Sequence, residues 1–183
     1  MRALIDACVL YPTVLREIVL AVAARGGIAP LWSPRILEEW ARAAARGGPG
    51  NEAIARGEIA LLRAQWPESE ITPPDGVETA LDLPDAADKH VLAAAIEGRA
   101  EAILTSNLRD FPRRALAGHG LRAVSPDALL MKLWRAEDAP VEAAIREVRA
   151  RTEAISGRDQ PLRPLLKRAR LPRLGKALQE LGS

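Results

Sequence analysis

The sequence predicts an α/β fold of three layers, α/β/α, with a mostly parallel central sheet and a helical C-terminal extension. Three observations predict it. Short apolar runs that read as buried strands alternate with longer segments whose apolar residues recur at helical spacing, the pattern of strands joined by crossover helices. The 183 residues are 48% hydrophobic, enough for one substantial core. Aromatics make up only 3%, so that core is built from Ala, Leu, Ile and Val.

The elements follow in order. Ala3-Leu4-Ile5 is a buried strand that ends at Asp6. Tyr11-Pro12 opens a helix through Val14, Leu15, Ile18, Val19 and Val22, stopped by Gly26-Gly27. Ile28 to Trp32 is a second strand. Ser33 before Pro34 is a strong helix start, a capping hydroxyl ahead of a proline at the first helical position. That helix passes Ile36, Leu37, Trp40 and Ala44 to the glycine cluster at 47–50, and another spans Glu52 to Trp66. Ile71 to Pro74 is a weak strand or a loop. Leu83-Pro84-Asp85 leads into a helix through Val91, Leu92, Ala95 and Ile96 that closes at Gly98. Ala102 to Thr105 and Leu121 to Val124 are the remaining strands, and Ser125-Pro126 starts a helix to about Trp134. From Ala139 the pattern is helical, then rich in Arg, Pro and Leu. The expected division is therefore residues 1–135 as the α/β domain and 136–183 as a helical, basic extension.

Several function classes are excluded by what is missing. One cysteine, Cys8, permits no disulfide framework within the chain and no cysteine-based zinc cluster, and reads as a small buried hydrophobe. The N-terminal apolar run is broken at Asp6, too early for a signal peptide, and no apolar stretch approaches the ~20 residues of a membrane helix. These features predict a cytoplasmic protein without membrane contact. The glycine clusters match neither phosphate-loop pattern. His90 and His119 share no ligand spacing and read as surface or packing residues; Trp32, Trp40 and Trp66 sit in apolar patterns and read as core. The formal charge is +2, but residues 158–183 carry +5 and the rest −3. An acidic body suits a carboxylate metal site, and a basic tail suits a polyanion or an acidic partner.

The acidic residues are the candidates for chemistry. In an open parallel sheet, ligands bind beyond the carboxyl ends of the strands. Asp6 follows the first strand, Asp110 lies just past the strand ending at Thr105, Asp85 and Asp88 open the helix before it, and Glu39 lies on the helix after the second strand. Carboxylates gathered at one edge raise one another's pKa unless a counter-charge is supplied, and an all-oxygen set favours Mg²⁺ or Mn²⁺. Each has a plainer reading. Asp6 would cap the next helix, Asp85 at the N-cap with Asp88 three residues on would cap theirs, Glu38 and Glu39 would be solvated charges, and Asp110 would be a turn residue. Only their joint placement points to a site.

Four stretches in order carry a family resemblance. Leu4-Ile5-Asp6-Ala7-Cys8-Val9-Leu10-Tyr11 resembles the opening motif of PIN domains. Ser33-Pro34-Arg35-Ile36-Leu37-Glu38-Glu39-Trp40 resembles their second motif, and the segment from Leu83 to Ala95 their third. Thr105-Ser106-Asn107-Leu108-Arg109-Asp110-Phe111-Pro112 resembles the Thr-x-Asn-x-x-Asp-Phe form of the fourth. Order and spacing agree over about residues 1–130, most closely with the bacterial VapC-type toxin subgroup. The resemblance implies a PIN-like fold and Mg²⁺- or Mn²⁺-dependent endoribonuclease activity, with RNA as substrate. An antitoxin partner, in a toxin–antitoxin pair, and a homodimer go with it. It implies catalytic and metal-ligand roles for Asp6, Glu39, Asp88 and Asp110, with Asp6, Asp88 and Asp110 on the metal that activates water and Glu39 on a second metal or the water itself. Asp85, Thr105, Ser106 and Asn107 stand as second-layer or substrate-contacting residues. Many relatives have Asp where Asn107 stands, so either Asn107 or Asp110 faces the metal. The alternatives are a catalytically degenerate PIN scaffold that binds RNA or protein, a receiver-like switch, and a phospho-aspartate phosphatase. Cys8 in place of the second Asp of an Asp-x-Asp motif counts against the last.

The tail from Arg158 holds seven Lys/Arg, three prolines that preclude one long helix, and leucines up to Leu181. It predicts short docked helices with the charges outward, rather than a disordered basic tail.

Overall fold

A computed structural model of the chain describes residues 1–180; Leu181, one of the tail leucines, lies outside the described residues. Four strands, β1 (Arg2–Ile5), β2 (Ala29–Leu31), β3 (Ala102–Leu104) and β4 (Arg122–Val124), form a fully parallel sheet in the order β2-β1-β3-β4. In chain order the helices are α1 (Ala7–Leu10), α2 (Thr13–Ala24), α3 (Pro34–Ala45), α4 (Asn51–Gln65), α5 (Lys89–Glu97), α6 (Arg113–Ala117), α7 (Pro126–Ala136), α8 (Asp138–Ser156), α9 (Leu162–Arg168) and α10 (Pro172–Glu180). Short 3₁₀ turns occupy Val77–Ala80 and Ala86–Asp88.

Packing divides the chain into two compact units. Met1–Tyr11 with Ala29–Val124 makes the first; Pro12–Ile28 with the chain from Ser125 onward makes the second. The boundary expected near Arg135 falls inside α7, within the second unit.

In the first unit, β1 is central: Leu4 sits opposite Leu31 of β2 on one side and Ile103 of β3 on the other. Successive strand residues point to opposite faces, and Ala3, Leu4 and Ile5 of β1 and all three residues of β3 are fully buried. Both faces of the sheet are therefore covered, which makes the fold three-layered. The chain leaves β1 toward β2 on one side, and β3 lies on the other, so the sheet's switch point falls between β1 and β3. Their carboxyl ends are where such sheets open a ligand crevice, and Asp6 and Thr105 are the residues that follow them.

Local chemistry sets the elements that reach this crevice. The Ser33 hydroxyl accepts from the Ile36 amide at 3.2 Å and Pro34 occupies the first helical position, so α3 starts where the sequence predicts. Its buried stripe is Ile36, Leu37, Trp40 and Ala41. Gly98 closes α5, and a Cβ there would meet Leu31 Cδ1 at 2.9 Å and the Ala94 carbonyl at 3.0 Å. Two details depart from the expectations. The chain after Asp6 makes one extra helical turn, α1, before Pro12 ends it. The second strand shortens to Ala29–Leu31, because Trp32 leaves the strand to bridge Glu70. The segment after Glu70 is loop, tied by the Ile71 amide to the Trp32 carbonyl at 2.8 Å.

The second unit is helical: α2 packs on α8, α7 on α8, and α10 on both α9 and α7. Arg25 pairs with Glu147 at 2.7 Å and Arg151 with Glu17 at 3.5 Å. Leu165, Leu166, Leu171 and Leu174 are buried, and Asp127 of α7 accepts from the Arg173 and Leu174 amides at 3.1 Å each, capping α10. Arg158, Arg163, Lys167, Arg168, Arg170, Arg173 and Lys176 are exposed.

Candidate functional site

One pocket of the first unit lies beyond the carboxyl end of β1. It is lined by Asp6, Cys8, Tyr11, Glu39, Arg42, Arg46, Asp88 and Asn107, with Ala7, Ala43 and Gly47 between them. Four separate stretches of chain thus meet there, as the sheet order requires.

Asp6 is 7% exposed. Its amide continues the sheet ladder to the Leu104 carbonyl at 3.1 Å. Its side chain makes no capping bond to α1. Instead Oδ2 accepts from the Thr105 hydroxyl at 2.7 Å and from the Cys8 thiol at 3.0 Å. Both donors take the same oxygen, which leaves Oδ1 without a hydrogen-bond donor among the described residues. Thr105 is itself fully buried and accepts from the Asn107 amide at 3.0 Å. One hydroxyl therefore ties the loop after β3 to the carboxylate after β1. Cys8 is not the plain hydrophobe that the sequence suggests. Burial, then the adjacent Asp6 carboxylate, push its thiol up to about 11, so it stays protonated and donates. Its sulfur also accepts from the Ser106 amide at 3.2 Å.

Asp85 and Asp88 separate. Asp85 is exposed and its Oδ1 accepts from the Ala87 amide at 2.8 Å, a cap of the 3₁₀ turn. Asp88 makes no capping bond and lines the pocket. Desolvation, then Asp6, Asp110 and Asp85 in turn, raise the Asp88 carboxyl to about 6. Asp110 is thus within electrostatic reach of the pocket without lining it, whereas the neutral Asn107 does line it. The Asp110 amide bonds the Asn107 carbonyl at 3.1 Å, and buried Phe111 anchors the turn.

Glu39 and Glu38 face different partners. Glu38 pairs with Arg42 and Arg56, each at 2.9 Å, and these arginines hold its carboxyl down at about 2, as expected of a solvated surface network. Glu39 lines the pocket, and its Oε1 lies 2.9 Å from His90 Nε2. His90 is 3% exposed, so the histidine read as surface or packing is buried against a candidate site residue; His119 is exposed. Tyr11, Arg42 and Arg46 also line the pocket, and the sequence does not single them out. For the arginines a signal exists: positions 39, 42 and 46 recur at helical spacing and share a face of α3.

A profile of the PIN domain matches residues 2–109, well over half of the chain. The chain belongs to the PIN-domain family. Within the family it is of the VapC type: it is 40% identical over 80 residues to VapC50 of Mycobacterium tuberculosis, provisionally named a ribonuclease. That alignment covers 38% of this chain and 47% of VapC50, so the chain spans about half the length of that relative. No solved structure matches the chain.

Whether this PIN domain's pocket suits a metal is decided by its donors. Three carboxylates and one amide oxygen are hard donors, beside a Cys8 thiol committed to Asp6, and the Asp88 carboxyl is raised first by burial and then by its acidic neighbours. Among the described residues, no three His, Cys, Asp or Glu side chains are drawn together into a ready coordination shell. The oxygen donors of the pocket are of the type that suits a hard cation such as Mg²⁺.

Proposed function

We propose that this PIN domain is a Mg²⁺- or Mn²⁺-dependent endoribonuclease that hydrolyses RNA phosphodiester bonds, and that it is the toxin of a toxin–antitoxin pair. The observation that carries the reading is the convergence of Asp6, Glu39, Asp88 and Asn107 on one pocket at the switch point of the sheet. The ribonuclease name of VapC50 supports RNA as the substrate; an antitoxin protein as partner and the cytoplasm as the place of work belong to the proposal.

In this reading Asp6 and Asp88 hold the cation. Bound there, the cation supplies a water of lowered pKa and positive charge against the phosphate. Asp6 offers Oδ1, while Thr105 and Cys8 hold the other oxygen. Glu39 is a further ligand, to this cation or a second one, and orients its water. The Asn107 oxygen contributes from the pocket wall, and Asp110 adds negative charge near Asp88. Asp85 stays a cap. Arg46 on the rim meets a backbone phosphate beside the scissile one, and the Ser106 hydroxyl is within the substrate-facing loop. Residues 1–135 carry the nuclease function in this scheme, and the basic helices after them bind RNA or the antitoxin.

The test is cleavage of end-labelled RNA by the purified chain with Mn²⁺, with chelator, and with Mn²⁺ restored. Cutting that chelator stops and metal restores supports the reading. Binding of RNA without cutting under all three conditions would support the alternative, a degenerate PIN scaffold. Growth arrest on induced expression, relieved by the product of an adjacent small reading frame, tests the toxin assignment.

A further inference from the structure

We infer that His90 is a positioning residue, a buried strut that fixes the Glu39 carboxylate for the cation; this rests on the metal reading above. His90 Nε2 lies 2.9 Å from Glu39 Oε1, which requires a proton on Nε2, since two acceptors would repel at that distance. The imidazole is 3% exposed and its Nδ1 has no hydrogen-bond partner among the described residues. A buried polar atom left unpaired is costly, and an apolar residue would fill the space without that cost. What the histidine supplies in return is a rigid donor aimed at Glu39. Glu39 needs one. Its side chain is 39% exposed, and the guanidinium that pairs with it, Arg35, stands at 3.7 Å, is half exposed and is also drawn to Glu78 at 3.2 Å. The strut joins α3, which carries Glu39, to α5, whose N-terminus carries Asp88. It therefore sets the separation of two carboxylates that line the pocket from different helices. Partners that orient a ligand in this way are worth about 10–100-fold in metal affinity.

The experiment measures Mn²⁺ affinity of the full chain from the spectrum of free Mn²⁺ in solution. The proteins are wild type, His90→Gln, His90→Met, Glu39→Ala and the double variant His90→Met/Glu39→Ala. Gln and Met are close in shape, and only Gln keeps a donor. The expected result is a loss of about 10–100-fold in His90→Met, recovery to near wild type in His90→Gln, and no further loss in the double variant beyond Glu39→Ala. A His90→Met chain that binds Mn²⁺ like wild type, an equal loss in both His90 variants, or a wild type that binds no Mn²⁺ overturns the strut. Should His90→Met fail to fold, the wild-type imidazole spectrum decides. A slowly exchanging Nε2 proton that becomes labile in Glu39→Ala supports the strut, and its absence in wild type overturns it. RNA cleavage is read separately on the same samples. A chain that binds Mn²⁺ in the expected pattern yet leaves RNA intact keeps the strut and loses the nuclease reading.

Discussion

At the scale of single residues, the pocket holds a carboxylate whose charge works against the fold, that of Asp88. Its carboxyl is raised from 3.8 to about 6, first by burial and then by neighbouring carboxylates. Between those values the folded chain holds a proton that the unfolded chain has released. Without metal, this group makes stability fall as pH rises through that window and level off above it. Asp88→Asn should therefore raise the melting temperature at pH 8 in chelator while abolishing cleavage. A lower melting temperature with cleavage intact would reverse the assignment. Asp85→Ala should do the opposite, keeping cleavage and losing about 1 kcal/mol with its cap. Melts and RNA assays on the two variants side by side separate the roles. Capping chemistry alone does not distinguish the two residues; in the sequence only the family resemblance separates them. The backbone decides, because Asp85 meets the Ala87 amide and Asp88 turns to the pocket.

At the scale of elements, what is legible in the sequence is whatever local chemistry encodes. The Ser33-Pro34 and Ser125-Pro126 starts begin α3 and α7 because a hydroxyl cap and a proline need only their own neighbours. The apolar runs of β1 and β3 read as strands because they lie in the middle of the sheet and are buried throughout, with β2 and β4 at its edges. The shortened β2 and the role of Asp127 are not legible, because each depends on a partner distant in sequence. Asp127 reads as an ordinary first-turn acid, yet it is 7% exposed and holds two amides of a helix some 46 residues later. Asp127→Ala leaves both amides without that acceptor, and should cost about 1–3 kcal/mol. Denaturant titration checks this; an unchanged midpoint would mean that α10 is held by its leucines alone. The same limit applies to the site. Asp6 and Glu39 stand in recognisable motifs, but the Thr105 and His90 side chains that hold them reach across the sheet or between helices.

At the scale of the whole molecule, charge is segregated: an acidic pocket in the first unit and exposed basic residues on the last helices of the second. Those helices bury four leucines, so removing them would confound binding with unfolding. Substituting Arg163, Lys167, Arg170 and Arg173 with Gln leaves the leucines in place. If these charges meet RNA phosphates, the variant should bind RNA more weakly, and its log–log salt slope should flatten by ~0.7 for each phosphate no longer neutralised on single-stranded RNA. Equal slopes would leave the antitoxin as the partner of this face. The central claim, that carboxylates brought together from distant parts of the chain form a metal-dependent nuclease centre, is tested most directly at Asp6. It is the buried residue at the sheet's switch point on which Thr105 and Cys8 converge. The measurement is cleavage of labelled RNA at matched Mn²⁺ by wild type and by Asp6→Asn, with melts of both. The expected result is cleavage by wild type alone, with Asp6→Asn folded; equal turnover by a folded Asp6→Asn would contradict the account.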